Sequence, residues 1–142
     1  MCAGLVLPPD PAGEVRVRLA TGGHPPPVVL RADGTAAPAA LRGPLIGVLD
    51  EVTPGTCEVA LRPGDRLVMF TDGLTEGPLP GGRTGEEGVV ATVAELSGRA
   101  TGRLAEALAE SVRGTGGAMR DDVAVLALEA TGHRRADGPA TA

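Results

Sequence analysis

The sequence predicts an α+β fold, a mainly antiparallel sheet with two helices packed on one face. Three observations predict it. Short segments with the period of strands are separated by turn-rich breaks, two helical stretches follow one another, and a last apolar segment closes the pattern. No regular strand–helix–strand alternation is present, and this order belongs to antiparallel layers rather than to a parallel sheet.

Gly4-Leu5-Val6-Leu7 is short and apolar, and Pro8-Pro9-Asp10-Pro11-Ala12-Gly13 after it is dense turn material. Glu14-Val15-Arg16-Val17-Arg18-Leu19-Ala20 alternates polar and apolar, the period of a half-buried strand, so the two segments read as a hairpin. Thr21-Gly22-Gly23-His24-Pro25-Pro26-Pro27 breaks the chain before the strand Val28-Val29-Leu30-Arg31 and the turn Asp33-Gly34. Residues 35–55 read as irregular, with one apolar island, Leu45-Ile46-Gly47-Val48-Leu49. Cys57-Glu58-Val59-Ala60-Leu61 alternates again, and Pro63-Gly64-Asp65 is a turn. Arg66-Leu67-Val68-Met69-Phe70-Thr71 is almost wholly apolar, as expected of a strand buried on both faces, and it stops at Asp72-Gly73. Thr84-Gly85-Glu86-Glu87 opens a helix carrying Val89, Val90, Val93 and Leu96. Leu104, Leu108 and Val112 give a second helix one apolar stripe. Val123-Ala124-Val125-Leu126-Ala127-Leu128 reads as a last buried strand, and residues 131–142 as a disordered tail.

The 142 residues suffice for one domain with a modest core, and the net charge of -5 leaves no basic footprint for a nucleic acid. All thirteen cations are arginine, scattered as solvated surface charge. Tyr, Trp, Asn, Gln and Lys are absent, a composition that suggests a GC-rich genome and leaves the core to Val, Leu and Ala. Cys2 and Cys57 are too far apart to define a metal motif, and they read as idle thiols in a reducing cytosol. Neither a signal peptide nor a membrane span is evident, so a soluble, cytoplasmic protein without membrane partners is expected.

Two carboxylate turns carry the chemistry. Asp72 directly follows one apolar strand, and Asp121-Asp122 directly precede another. A carboxylate at a strand end needs a partner, and a hard cation such as Mg²⁺ or Mn²⁺ is one. If the two strands are antiparallel neighbours, Asp72 and Asp121 converge, with Gly73 allowing a tight turn beside them. An ordinary Asp-Gly turn and a solvated strand entry explain the same residues, and spacing does not decide between these readings.

Leu61-Arg62-Pro63-Gly64-Asp65-Arg66-Leu67-Val68-Met69-Phe70-Thr71-Asp72-Gly73-Leu74-Thr75-Glu76 resembles a signature of bacterial PPM-type (protein phosphatase 2C-like) serine/threonine phosphatases, in the branch named for stage II sporulation protein E. Gly23-His24-Pro25-Pro26-Pro27-Val28-Val29-Leu30-Arg31 resembles the family's glycine-histidine-proline hairpin, Leu45-Ile46-Gly47-Val48-Leu49 its small apolar motif, and Arg120-Asp121-Asp122-Val123-Ala124-Val125-Leu126 its closing aspartate strand. The resemblance covers about residues 3–129. It implies a partial αββα sandwich, with residues 1–130 the C-terminal portion of the catalytic domain.

By that resemblance Asp72 and Asp121 match ligands of a dinuclear Mn²⁺/Mg²⁺ centre, two ions per complete site. Gly73 matches the motif glycine, Asp122 shapes the turn, and Thr71 belongs to the supporting motif. Thr75 and Glu76 shape the loop. His24, in its proline-rich turn, reads as structural, with a general acid as the alternative. The implied reaction is hydrolysis of phosphoserine or phosphothreonine on a bacterial signalling protein, such as an anti-sigma-factor antagonist, by metal-activated water. The family's earlier aspartate-glycine motif is not among these residues, since Asp10 and Asp33 lie in the wrong context. Little activity of the chain alone is therefore expected. An open sheet edge is expected too, for an N-terminal half or another chain to pair with. The competing reading is a catalytically inactive half-domain that serves as a binding or regulatory module.

Overall fold

The computed structural model describes residues 1–47, 52–113 and 122–132. In chain order the elements are β1 (Cys2–Val6), β2 (Val15–Thr21), β3 (Val28–Leu30), β4 (Ala36–Pro38), β5 (Gly55–Leu61), β6 (Arg66–Phe70), the one-turn α1 (Gly73–Glu76), α2 (Gly85–Glu95), α3 (Thr101–Arg113) and β7 (Val125–Glu129). The strands form two antiparallel sheets, one ordered β1-β2-β5 and the other β4-β3-β6-β7. The fold is α+β, as expected.

Local chemistry sets the hairpins. After β1 the Asp10 carboxylate accepts the N–H groups of Ala12 and Glu14, both at 2.9 Å, and the chain reverses into the register Cys2↔Thr21 through Val6↔Val17. After β3 the Asp33 carboxylate accepts both the N–H and the hydroxyl of Thr35, and Gly34 takes the positive φ the turn requires.

Two cores result. Between the sheets lie Val17, Leu19, Val29, Leu41, Val59, Leu61 and Leu67. Between the second sheet and the helices lie Val28, Leu30, Val68, Phe70, Leu74, Val89, Val93, Leu104, Leu108 and Val112. β6 supplies Leu67 to one core and Val68 and Phe70 to the other, which explains its continuous apolar run. The stripe Leu104, Leu108, Val112 on α3 is fully buried, as its spacing predicts.

Four expectations need correction. Ala36–Pro38, read as irregular, is an edge strand, because pairing with β3 rather than any pattern of its own defines it. β7, read as buried, is an edge strand among the described residues, paired only with β6, and Leu126 is 60% exposed. A single helical turn, α1, begins at Gly73 where an open loop was expected. Gly73 itself is buried and is not in the left-handed region, so the chain turns by entering a helix rather than by glycine's conformational freedom. Of the apolar island, Leu45 and Ile46 are largely exposed, and residues 48 and 49 lie outside the described residues. Asp121 and the tail from 133 onward also lie outside them.

The outer edge of β1 is unpaired among the described residues. The strand Cys-Ala-Gly-Leu-Val carries no charge and no proline, the usual devices against strand addition, and Leu5 and Val6 are largely exposed.

Gly55 is required by a close crossing. A Cβ there would lie 1.7 Å from the Arg42 carbonyl oxygen, so the segment before β5 passes over its first residue only because no side chain is present. Gly55→Ala is expected to cost about 3 kcal/mol, because the obstruction is backbone and cannot rotate away. Thermal unfolding followed by circular dichroism should show a melting temperature about 10 °C lower. An unchanged value would mean that the crossing is not held in solution.

Candidate metal-binding site at the end of β6

The signature segment has an aspartate at each end of one buried strand, and the two differ in their chemistry. Asp65, before β6, is 4% exposed. Its carboxylate accepts the Arg31 guanidinium at 2.8 Å and the N–H groups of Ala32 at 2.9 Å and Arg62 at 3.0 Å. Burial pushes this carboxyl up, but the Arg31 guanidinium and the two N–H groups outweigh burial and hold it below its ordinary value. Asp72, after β6, is exposed. Among the described residues no hydrogen bond or ion pair engages its carboxylate, and although it occupies the N-cap of α1 it makes no side-chain cap bond. Only its carbonyl is used, accepting the N–H groups of Thr75 and Glu76 and the Thr75 hydroxyl. Thr75 therefore shapes the loop, as the resemblance implies. The first aspartate is a structural plug, and the second is an oxygen donor that no described residue occupies.

β6 and β7 are antiparallel neighbours, in register from Arg66↔Glu129 to Phe70↔Val125. One step beyond, Thr71 N–H donates to the Ala124 carbonyl at 3.1 Å, and its hydroxyl donates to the Asp122 carbonyl at 2.8 Å. Ala124 N–H in turn donates to the Thr71 hydroxyl oxygen at 2.9 Å. The exit of β6, where Asp72 stands, is thus tied directly to the entry of β7 at Asp122.

His24 is held in a closed turn. Its N–H donates to the Thr21 hydroxyl, which donates back to the His24 carbonyl, both at 3.2 Å. Its Nδ1 lies 2.9 Å from the Pro25 carbonyl, which can only accept, so Nδ1 carries a proton. His24 lines an open depression together with Thr71, Ala124 and Leu126, so the proline-rich turn lies at the same end of the sandwich as the carboxylate turns. The apolar island reaches the same turn. A Cβ on Gly22 would lie 2.3 Å from Ile46, and one on Gly23 would lie 2.4 Å from Leu45. These two glycine positions are what let the segments pack together, a contact no local pattern announces.

A larger depression of about 650 Å³, flanked by Leu5, Arg18, Ala20, Thr56 and Glu58, lies on the outer face of the first sheet. Its charged groups are an exposed pair, Arg18 to Glu58 at 3.1 Å, and carry no chemistry. The thiols offer none either. Burial pushes both Cys2 and Cys57 up, away from the thiolate form.

The donor set suits a hard divalent cation in kind, since Asp72 offers a free carboxylate and the surrounding turns offer oxygens. In number it is short. Among the described residues no group of three or more His, Cys, Asp or Glu forms a metal cage. Among the same residues, no helix is long and apolar enough to cross a membrane.

Two stacked antiparallel sheets with helices against one of them define the class, a PP2C-type phosphatase fold. The chain superposes on the RsbU and RsbW domains of a Mycobacterium tuberculosis protein with a TM-score of 0.68 and 30% identity, over 90% of this chain and 35% of that one. It superposes on the phosphatase domain of SpoIIE from Bacillus subtilis with a TM-score of 0.65 and 21% identity, over 91% and 56%. For the SiaA-PP2C domain of Pseudomonas aeruginosa the values are 0.57 and 19%, over 82% and 51%. Residues 4–131 match the Stage II sporulation protein E (SpoIIE) family, and the chain belongs to that family. It spans between about a third and just over half of the length of these solved chains. No curated protein matches it.

Proposed function

We propose that this chain is the part of a metal-dependent protein serine/threonine phosphatase that carries two of its metal-binding carboxylates, Asp72 and Asp121. The reaction class is hydrolysis of phosphoserine or phosphothreonine on a bacterial signalling protein such as an anti-sigma-factor antagonist. The observation that carries the reading is the contrast within the family signature. Of its two strand-end aspartates, the one at the proposed site is exposed, with a carboxylate that no described residue engages, and it precedes α1 beside the strand entry that Asp122 leads into.

Asp72 would hold Mn²⁺ or Mg²⁺ from the β6 side and Asp121 from the β7 side, two ions belonging to the complete site. Bound there, the ions supply an activated water and neutralise phosphoryl charge. The chain's own residues set the geometry. α1 fixes the Asp72 backbone, and Thr71 fixes the two turns against each other. The thiols stay protonated and idle.

The test has two parts. Titration of the chain with Mn²⁺, followed by the loss of the free-ion electron paramagnetic resonance signal, should show saturable binding. Two carboxylates leave most positions on each ion to water, so the affinity should be weak, with a Kd of about 10⁻⁴–10⁻³ M. No saturation in that range would remove the metal reading. With p-nitrophenyl phosphate and Mn²⁺ the chain alone should turn over little substrate, and robust turnover that Asp72→Asn abolishes would show that it is a sufficient enzyme.

The uncharged, unpaired edge of β1 favours a second reading, an inactive half-domain that pairs with another chain. A strictly monomeric chain by size-exclusion chromatography would count against it.

A further inference from the structure

We infer that Thr71 is a positioning residue of the proposed site, its hydroxyl standing in for a main-chain rung so that the exit of β6 at Asp72 is tied to the backbone of Asp122. The inference rests on the phosphatase reading above.

Thr71 and Ala124 form the rung after Phe70↔Val125. In an antiparallel ladder such a pair exchanges two bonds, each N–H donating to the opposite carbonyl. Here only one of them is ordinary, Thr71 N–H to the Ala124 carbonyl. The return bond from Ala124 N–H goes to the Thr71 hydroxyl oxygen instead. The Thr71 carbonyl is thereby free to accept Leu74 N–H at 3.0 Å, the contact that starts α1. The hydroxyl still has its proton, and it donates that to the Asp122 carbonyl. One side chain therefore lets β6 leave the sheet into a helix at Asp72 while β7 stays attached as far back as Asp122.

The consequence is specific to residue type. Valine has the same shape as threonine but neither donates nor accepts, so Thr71→Val removes the hydroxyl that accepts from Ala124 N–H and donates to the Asp122 carbonyl. Serine keeps both bonds. A purely structural threonine would affect stability alone. A positioning threonine affects metal affinity through the distance between the two turns.

The experiment compares Mn²⁺ affinity, by the same resonance titration, in the wild-type chain, Thr71→Val, Thr71→Ser and a remote core variant, Leu104→Val. Thr71→Val should bind about tenfold more weakly, the scale on which partners that orient metal ligands act. Thr71→Ser should stay within about twofold of the wild type, and Leu104→Val should bind as the wild type does despite its lower melting temperature. Equal affinity in Thr71→Val and wild type would overturn the inference. Absence of saturable binding in the wild type would instead overturn the phosphatase reading. Amide exchange is the independent measurement, and it applies to the wild type even if Thr71→Val fails to fold. Ala124 N–H should exchange slowly in the wild type and faster in Thr71→Val. Fast exchange in the wild type, or unchanged exchange in the variant, would show that the latch does not exist.

Discussion

Asp72→Asn is expected to weaken Mn²⁺ binding by at least about 100-fold relative to the wild-type chain, with little change in melting temperature. Partners that merely orient a metal ligand are worth about 10- to 100-fold in metal affinity, and a directly ligating carboxylate should match or exceed the upper end. Stability is unaffected for reasons visible in the structure. The carboxylate is exposed and makes no cap bond. Asparagine is isosteric and as good an N-cap as aspartate, and the carbonyl that starts α1 is retained. The variant therefore separates metal binding from folding, which a core substitution cannot do. Glu76→Gln, four residues along and also exposed, is the matched control and should bind Mn²⁺ as the wild type does. Equal affinity in Asp72→Asn and wild type would place the ion elsewhere on the chain.

Asp65→Ala should have the opposite signature, a large loss of stability through a residue outside the proposed chemistry. The substitution leaves the N–H groups of Ala32 and Arg62 and the Arg31 guanidinium without their acceptor. Arg31 is 46% exposed and can turn to water, so the loss is smaller than for a fully buried pair, about 2–3 kcal/mol. The pH dependence follows from the direction of the shift. The folded-state carboxyl is held below its ordinary value, so its contribution is complete above the unfolded-state pKa of about 3.9 and fades as the pH falls from there through the lower folded-state value. Denaturant unfolding between pH 6 and pH 2.5 should show a wild-type stability that drops at the acid end. In Asp65→Asn, which has no charge to lose, the drop should be smaller. Parallel pH profiles in the two proteins would mean that Asp65 carries no linkage.

The two aspartates also show where reading the chain residue by residue stops. Both sit in turns flanking β6, and nothing in the spacing tells them apart. Resemblance to a phosphatase signature singles out Asp72. The physical distinction is tertiary, because Asp65 is surrounded by donors from the β3–β4 turn and its own turn, whereas no described residue reaches the Asp72 carboxylate. Thr71 is a similar case. Its place in the motif was legible, but its role depends on β7, 53 residues away at Ala124.

The local architecture is legible in the residues alone. The strand periods, the Asp10 and Asp33 turns, the apolar run of β6 and the stripe Leu104, Leu108, Val112 each follow from side-chain geometry within a few residues, and the structure repeats them. Only the tertiary structure decided which elements are edges and which contacts close the end of the sandwich. β4 is a strand because β3 lies beside it, β7 is an edge because among the described residues only β6 pairs with it, and Gly22, Gly23 and Gly55 matter because distant segments cross them. The physical reason is common to all of them. Burial and close approach depend on residues far apart in the chain, and a local pattern holds no record of what will arrive on the other side.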